Sequence, residues 1–460
     1  MTHRSLALTV CLMAAAIATG QWSEPVTVAE SLAPFGPGPE LVSSRGDTIW
    51  VFWIHGPLLS DARLMACCRY GDTWRDPQVL ASGQHGVYWP AAAVDDSGRM
   101  TTAFYAGSYP TARVEQDTWG IYLTALADTG WTRPEPIHVM EAAFPFEIEL
   151  GPGRDGRLGM VWNENAGGMV GLDSVMFSRR TGSGWTPRRC LAPGLSPDVN
   201  CAGATLVPGE TSDFTVAWCR STPDSVQVEV WDADDSLICR TLAVSGSQPV
   251  LARSPEARFL VYCRDDSLFA RVDRGSGWLA EQPVAAKLGR SRPGLCTDNV
   301  GWAWACWPDS AHRALMVSYN SGASWSRPET AATFTSLGNP AVASDQDGRI
   351  HCVWFDHAPG TEGRLRHAVR LTRPGIEAGE WREAKAARGT PTIVRRSLRM
   401  EDRGLRTEDR AELLDAAGRK VVKLHTGAND VSRLSPGVYF VREVQTQAQA
   451  QAVRKVIITR

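Results

Sequence analysis

Apolar residues in this chain come in short runs, many alternating with polar positions, and the runs are broken by Gly, Asp, Ser and Pro. A period of two over such spans predicts half-buried strands, not amphipathic helices. The runs recur in a fixed order. An apolar stretch opens at a proline at Pro39, Pro90, Pro145, Pro197, Pro249, Pro293 and Pro340. The first residue of a strand can spare its N–H, so proline is tolerated there. Two units align without a gap, PAAAVDDSGRMTTAFY from Pro90 and PAVASDQDGRIHCVWF from Pro340, each reading strand, Asp/Gly turn, strand. The second strand of each unit carries one aromatic: Trp53, Phe104, Trp162, Trp218, Tyr262, Trp307 and Trp354. A bulky side chain at one repeated position is what packing neighbouring sheets face to face requires, so these aromatics are expected between sheets. A third strand follows, as at Gly120 to Ala127 and Arg313 to Tyr319.

A phrase built on Trp opens the fourth strand: QWSEPVTV at Trp22, TWRDPQVL at Trp74, GWTRPEPI at Trp131, GWTPRRCL at Trp185, GWLAEQPV at Trp278, SWSRPETA at Trp325 and EWREAKAA at Trp381, with a weak copy near Trp231. Copies lie about fifty residues apart, the length of a four-stranded blade. The expectation is an all-β chain with a seven-bladed β-propeller over residues 21–388, six or eight blades staying open because the fourth unit is irregular. The phrase at Trp22 sits one strand ahead of the first blade, where pairing with the last blade would close the ring and remove an edge.

The ends read differently. Residues 1–20 have a basic start at His3 and Arg4, an apolar run from Leu6 to Ala18 and small residues at Ala18-Thr19-Gly20, the pattern of a cleaved signal peptide. No later stretch is long and apolar enough to predict a transmembrane span. The net charge of −2 gives no global field towards nucleic acid. The 18 Trp, 42 Gly and 28 Pro fit many strands and turns. Of 11 Cys, Cys219, Cys263, Cys306 and Cys352 sit in apolar strand patterns and are expected as buried thiols, and no Cys/His spacing calls for a metal. No motif calls for a cofactor.

Ser318-Tyr319-Asn320-Ser321-Gly322-Ala323-Ser324-Trp325 resembles the Asp-box (BNR repeat) of sialidase-like propellers, with Asn320 where the family has Asp. Other units keep only the end of the motif, as in Gly275-Ser276-Gly277-Trp278 and Gly182-Ser183-Gly184-Trp185. The box is structural in that family and occurs with and without catalysis, so the resemblance implies fold more than function. Residues 411–460 are similar to the type A sorting domain of the type IX secretion system, through Leu414-Asp415, Gly418-Arg419-Lys420-Val421, Leu434-Ser435-Pro436-Gly437-Val438-Tyr439 and a closing basic strand at Lys455. Without the family, the same residues read as a small β-sandwich, with 389–410 as a linker. The resemblance implies export by the type IX machinery as partner, and a secreted or outer-surface location.

Sialidases grip a sugar carboxylate with three arginines, and their aromatic-Arg-Ile-Pro phrase is absent here; Pro39-Glu40-Leu41-Val42-Ser43 stands in its place. The innermost strands begin at the repeated prolines, so the preceding residues rim one end of the channel. His85, Tyr88, Trp89, Arg292 and Asn339 are the candidate ligand-binding residues, with Phe144, Ser196 and Gln248 on the same rim. Glu147 and Glu149 alternate with Phe146 and Ile148 and would share a face, as an acid and base must. The reading is a non-catalytic glycan- or protein-binding module. The competing reading is a glycoside hydrolase at the channel mouth, and the third a structural surface protein.

Overall fold

The computed structural model describes residues 22–371 outside the segments 33–37, 45–47, 57–61, 83–86, 96, 108–118, 141–142, 167–172, 196–199, 211, 223–224, 234–237, 287–290, 323, 337 and 358–362, together with residues 392–394, 397–400, 410–414, 420–425, 427–435, 437–444 and 453–458. Every regular element among them is a strand. The chain divides into two compact units, Met1–Arg370 and Leu371–Arg460.

The first unit holds seven antiparallel sheets in chain order among the described residues, referred to below as blades 1 to 7. Their inner strands are Glu40–Ser44, Val87–Val94, Ala143–Pro152, Asn200–Pro208, Ser247–Arg253, Gly294–Thr297 and Ala341–Ser344. Each lies against the next, and the seventh lies against the first. In blade 7 the outer strand is Val26–Leu32 from the start of the chain, paired antiparallel with Gly363–Arg370. Trp22 and Ser23 extend that closure, by a bridge from Trp22 to Arg370 and a bond from the Ser23 amide to the Val369 carbonyl. The phrase at Trp381, expected as a fourth strand, lies outside the described residues.

The repeated aromatics do what their period predicts. Trp53, Phe104, Trp162, Trp218, Tyr262, Trp307 and Trp354 are all buried, each in a cluster between blades. Each takes some 200 Å² of mostly apolar surface from water, worth about 5 kcal/mol before the entropy of ordering it is charged. Opposite this aromatic, the inner strands of blades 2 to 5 carry a bulge. Residues 89–90 face Phe104, 147–148 face Trp162, 203–204 face Trp218 and 248–249 face Tyr262. The first bulge residue is left-handed each time: Trp89 (φ 52°), Glu147 (φ 50°), Gly203 (φ 65°) and Gln248 (φ 51°). In blades 1, 6 and 7 the ladder begins just beyond this point, at Glu40, Gly294 and Ala341.

Counting from the aromatic therefore corrects the register that the prolines suggested. Pro39, Pro90, Pro249, Pro293 and Pro340 hold one equivalent position, but in blades 3 and 4 Ile148 and Ala204 hold it. The second bulge residue is outside the ladder, so proline is allowed there without being required.

The turn before the outer strand uses the motif noted above. Asn320 Oδ1 accepts the Gly322 N–H at 2.8 Å, and Asp273 Oδ1 accepts those of Gly275 and Gly277 at 2.8 and 3.0 Å. Asp273 thus fills the Asp position in a blade whose sequence resemblance was confined to the end of the motif. All nine described cysteines are free, and Cys219, Cys263, Cys306 and Cys352 are buried.

The second unit pairs Thr392–Val394, Val453–Ile458, Gly437–Val444, Arg410–Leu414 and Lys420–Leu424 in one sheet, and Ser397–Met400 with Gly427–Asp430 in another. Leu413, Leu424, Val431, Tyr439 and Val441 form its core. Two of these strands fall inside the segment read as a linker from 389 to 410. They pair with strands more than twenty residues away, a partnership that local pattern does not encode.

Candidate functional site

The equivalent positions Gly38, Trp89, Glu147, Gly203, Gln248, Arg292 and Asn339 come together as a ring of seven, one per blade, around a central channel of about 520 Å³. In blades 2 to 5 a bulge is what turns them inward. One extra residue without a ladder partner re-aims the side chain that regular alternation would bury between blades.

The next position inward is also lined, and there Glu40 of blade 1 and Glu149 of blade 3 are structural equivalents, each paired to the residue before the repeated aromatic. Glu149 Oε2 lies 3.6 Å from Arg292 Nη2 of blade 6. Both side chains keep about a quarter of their surface, 27% and 25%, and they line the channel. Burial pushes the Glu149 carboxyl up, and Arg292 pulls it back. Glu40 is pushed to about 8, first by burial and then by the charge of Glu149, with Arg292 opposing. At neutral pH the Glu40 carboxyl is therefore protonated, beside the contact of Glu149 with Arg292.

Glu147 has a different task. Its Oε2 accepts the Gly203 backbone N–H at 2.5 Å, tying the bulge of blade 3 to that of blade 4. This bond offsets the roughly 1–3 kcal/mol that a left-handed non-glycine residue costs. Asn339 Oδ1 likewise accepts the Arg292 N–H at 3.0 Å, joining blade 7 to blade 6. On its other side Asn339 abuts Gly38, where an added Cβ would stand 2.6 Å from its carbonyl oxygen. Trp89 is half-buried, its ring 6.4 Å from Phe146 at 56°.

Of the rim residues expected from sequence, Trp89, Gln248, Arg292 and Asn339 line the channel. Tyr88 does not. It is buried beside Tyr105, ring centres 6.1 Å apart, in the cluster with Ile148 and Leu150 of blade 3. Being one residue ahead of the bulge, it keeps the regular alternation that Trp89 escapes. His85 and Ser196 lie outside the described residues, as does the side chain of Phe144. Glu147 and Glu149 reach the same channel but are not a free pair, since one holds backbone and the other an arginine. Glu40 was not anticipated. Its signal was its place one residue after the rim proline, which matches Glu149 only when counted from the aromatic.

No family model matches this chain, and neither does any curated protein. Among solved structures it is similar to an ulvan lyase of a polysaccharide lyase family, with 10% identity and a TM-score of 0.50, covering 74% of this chain and 95% of that one. It is also similar to a protein of unknown function from Dyadobacter fermentans DSM 18053, with 14% identity and a TM-score of 0.44 over 75% and 98% of the two chains. The sialidase of Trypanosoma rangeli, solved with sialic acid, matches with 9% identity and a TM-score of 0.42 over 91% and 69%. At such identities the likeness bears on the fold alone.

Proposed function

We propose that this chain is an exported propeller that binds a glycan end in its central channel without turning it over, and that the type IX machinery delivers it through residues 411–460. The observation that carries the reading is how the channel's groups are spent. Glu147 is held by a backbone N–H and Glu149 by Arg292, whereas a glycosidase needs two available carboxyls about 5–10 Å apart. Trp89 supplies an apolar face beside polar neighbours, the composition that sugar rings favour. A volume of about 520 Å³ suits a sugar better than a protein surface.

The test is titration of the full chain with a panel of neutral and sialylated glycosides, with hydrolysis followed in parallel. Binding without turnover, weakened at least about tenfold by Trp89→Ala, supports the reading. Turnover lost in Glu149→Gln sinks it. For delivery, removing residues 411–460 should leave the chain inside a host that otherwise exports it.

One observation favours the hydrolase as a second reading. Glu40, protonated near neutral pH with Glu149 close by, offers the proton donor that acid–base catalysis uses. On that reading Glu40→Gln abolishes turnover while ligand is still bound.

A further inference from the structure

Blades 2 and 7 turn from first to second strand in the same way. Asp95 Oδ1 and Asp345 Oδ1 accept the amide N–H of Arg99 and Arg349, at 2.9 Å in both. Gly98 (φ 82°) and Gly348 (φ 77°) take the left-handed corner. The two turns therefore place an arginine at one equivalent point.

What surrounds the two guanidinium groups differs. Arg349 is buried, bonded through Nε to Asp345 Oδ2, with Asp347 at 3.8 Å and Asp72 at 4.0 Å. Blade 2 has Ser97 where blade 7 has Asp347, and Ser97 Oγ donates to Asp95 Oδ1 at 2.5 Å. The other Asp95 oxygen lies 3.9 Å from Arg180 of blade 3. Among the described residues no carboxylate pairs with Arg99, and its Nε is buried without an acceptor. A buried donor left unmet costs about 1–3 kcal/mol, so such a group calls for a partner.

Arg99 lines a groove of about 810 Å³ between blades 1 and 2. Trp50 and Tyr70 share its wall, and Tyr70 is 62% exposed. Arg75, also without a carboxylate partner among the described residues, and Asp128 complete its charged lining. Among the described residues two guanidinium groups thus stand against one carboxylate.

We propose that this groove is a second ligand site, separate from the channel, that takes a saccharide bearing an oxyanion, with the anion on Arg99 and the ring against Tyr70. A guanidinium supplies charge-assisted bonds to a carboxylate or sulfate, and an exposed phenol ring offers a flat apolar face. Blade 7 fills the equivalent need with its own aspartates; blade 2 leaves it to a ligand.

The experiment is calorimetric titration of the full chain with digalacturonate, galactose 6-sulfate and neutral galactobiose. Binding of either acidic probe, with the neutral one at least about tenfold weaker, is expected. Arg99→Gln should weaken binding about tenfold to a hundredfold. Ser97→Asp, which gives blade 2 the aspartate of blade 7, should do the same by occupying Arg99 from within, without loss of thermal stability. Trp89→Ala, in the channel, should leave this binding unchanged. Equal binding of the neutral probe, full binding by Ser97→Asp, or loss with Trp89→Ala each overturns the proposal.

Discussion

At the scale of single residues, Glu40 shows how position outweighs identity. A glutamate at the start of a strand is ordinarily solvated, but the seven-fold ring puts this one where water is scarce and another carboxylate is near. Its proton is held more tightly folded, to about 8, than unfolded, near 4.5. The sign follows from linkage. Its contribution to stability is complete below pH 4.5 and is lost as pH rises through 8. The melting temperature should therefore fall over this range in the native protein, and fall less in Glu40→Gln. Parallel curves for the two would place the effect elsewhere. Much of the rim was legible from sequence, because a residue just ahead of a strand-opening proline has few places to go. Glu40 was not, because the prolines of blades 3 and 4 are out of register with the others. Tyr88 was misread because the bulge that frees Trp89 begins one residue later.

At the scale of elements, the seams between blades carry the stability. Beside its apolar cluster, the seam of blades 7 and 1 buries a polar group. His351 Nε2 lies 3.2 Å from Asp345 Oδ2, His351 Nδ1 lies 3.0 Å from His367 Nε2, and the His367 ring meets Trp74 edge-on at 5.1 Å. Burial lowers both imidazoles; Asp345 pulls His351 only partly back, His351 lowers His367 further, and Arg69 opposes protonation of both, with Arg349 also acting on His351. The unfolded chain binds these protons more readily, so stability is lost as pH falls below about 6.5. A His367→Gln variant should flatten the acid side of a melting-temperature profile, whereas Glu40→Gln flattens the alkaline side. The seam of blades 3 and 4 is tight around Phe214. A Cβ on Gly159 would stand 2.4 Å from the Phe214 ring. Gly159→Ala should cost about 1–3 kcal/mol, read as a lower urea midpoint at unchanged slope. Aromatic spacing made these seams visible in the sequence. The histidine group of the first was not, since the histidines come from two strands and their carboxylate from a turn.

At the scale of the whole molecule, two features were legible to different degrees. The all-β sheets followed from the period-two runs, and the pairing of the first strand with the last from a Trp phrase standing one strand ahead of the first blade. The start of the second unit did not, because Thr392–Val394 and Ser397–Met400 are too short to show alternation and find their partners far along the chain. The closure makes a prediction. Deleting residues 22–32 removes the outer strand of blade 7 and the bond from Trp22 Nε1 to Glu329, beside which Arg370 is also held. The truncated chain should melt earlier and be cut by protease within Gly363–Arg370 first; unchanged protease resistance there would mean that the strand is ornamental.

The closing contact also has a consequence in time. The Val369 amide bonds to the Ser23 hydroxyl across 346 residues. A chain made from its beginning holds Val26–Leu32 in waiting until Gly363–Arg370 exists, and bridging so long a loop is slow. Until then both strands present bare edges of matching register. A waiting strand does not distinguish its own ring from that of a second copy, so the device that completes a monomer is equally a means of exchanging ends between molecules. Refolding at rising concentration should therefore raise the share of end-exchanged dimers.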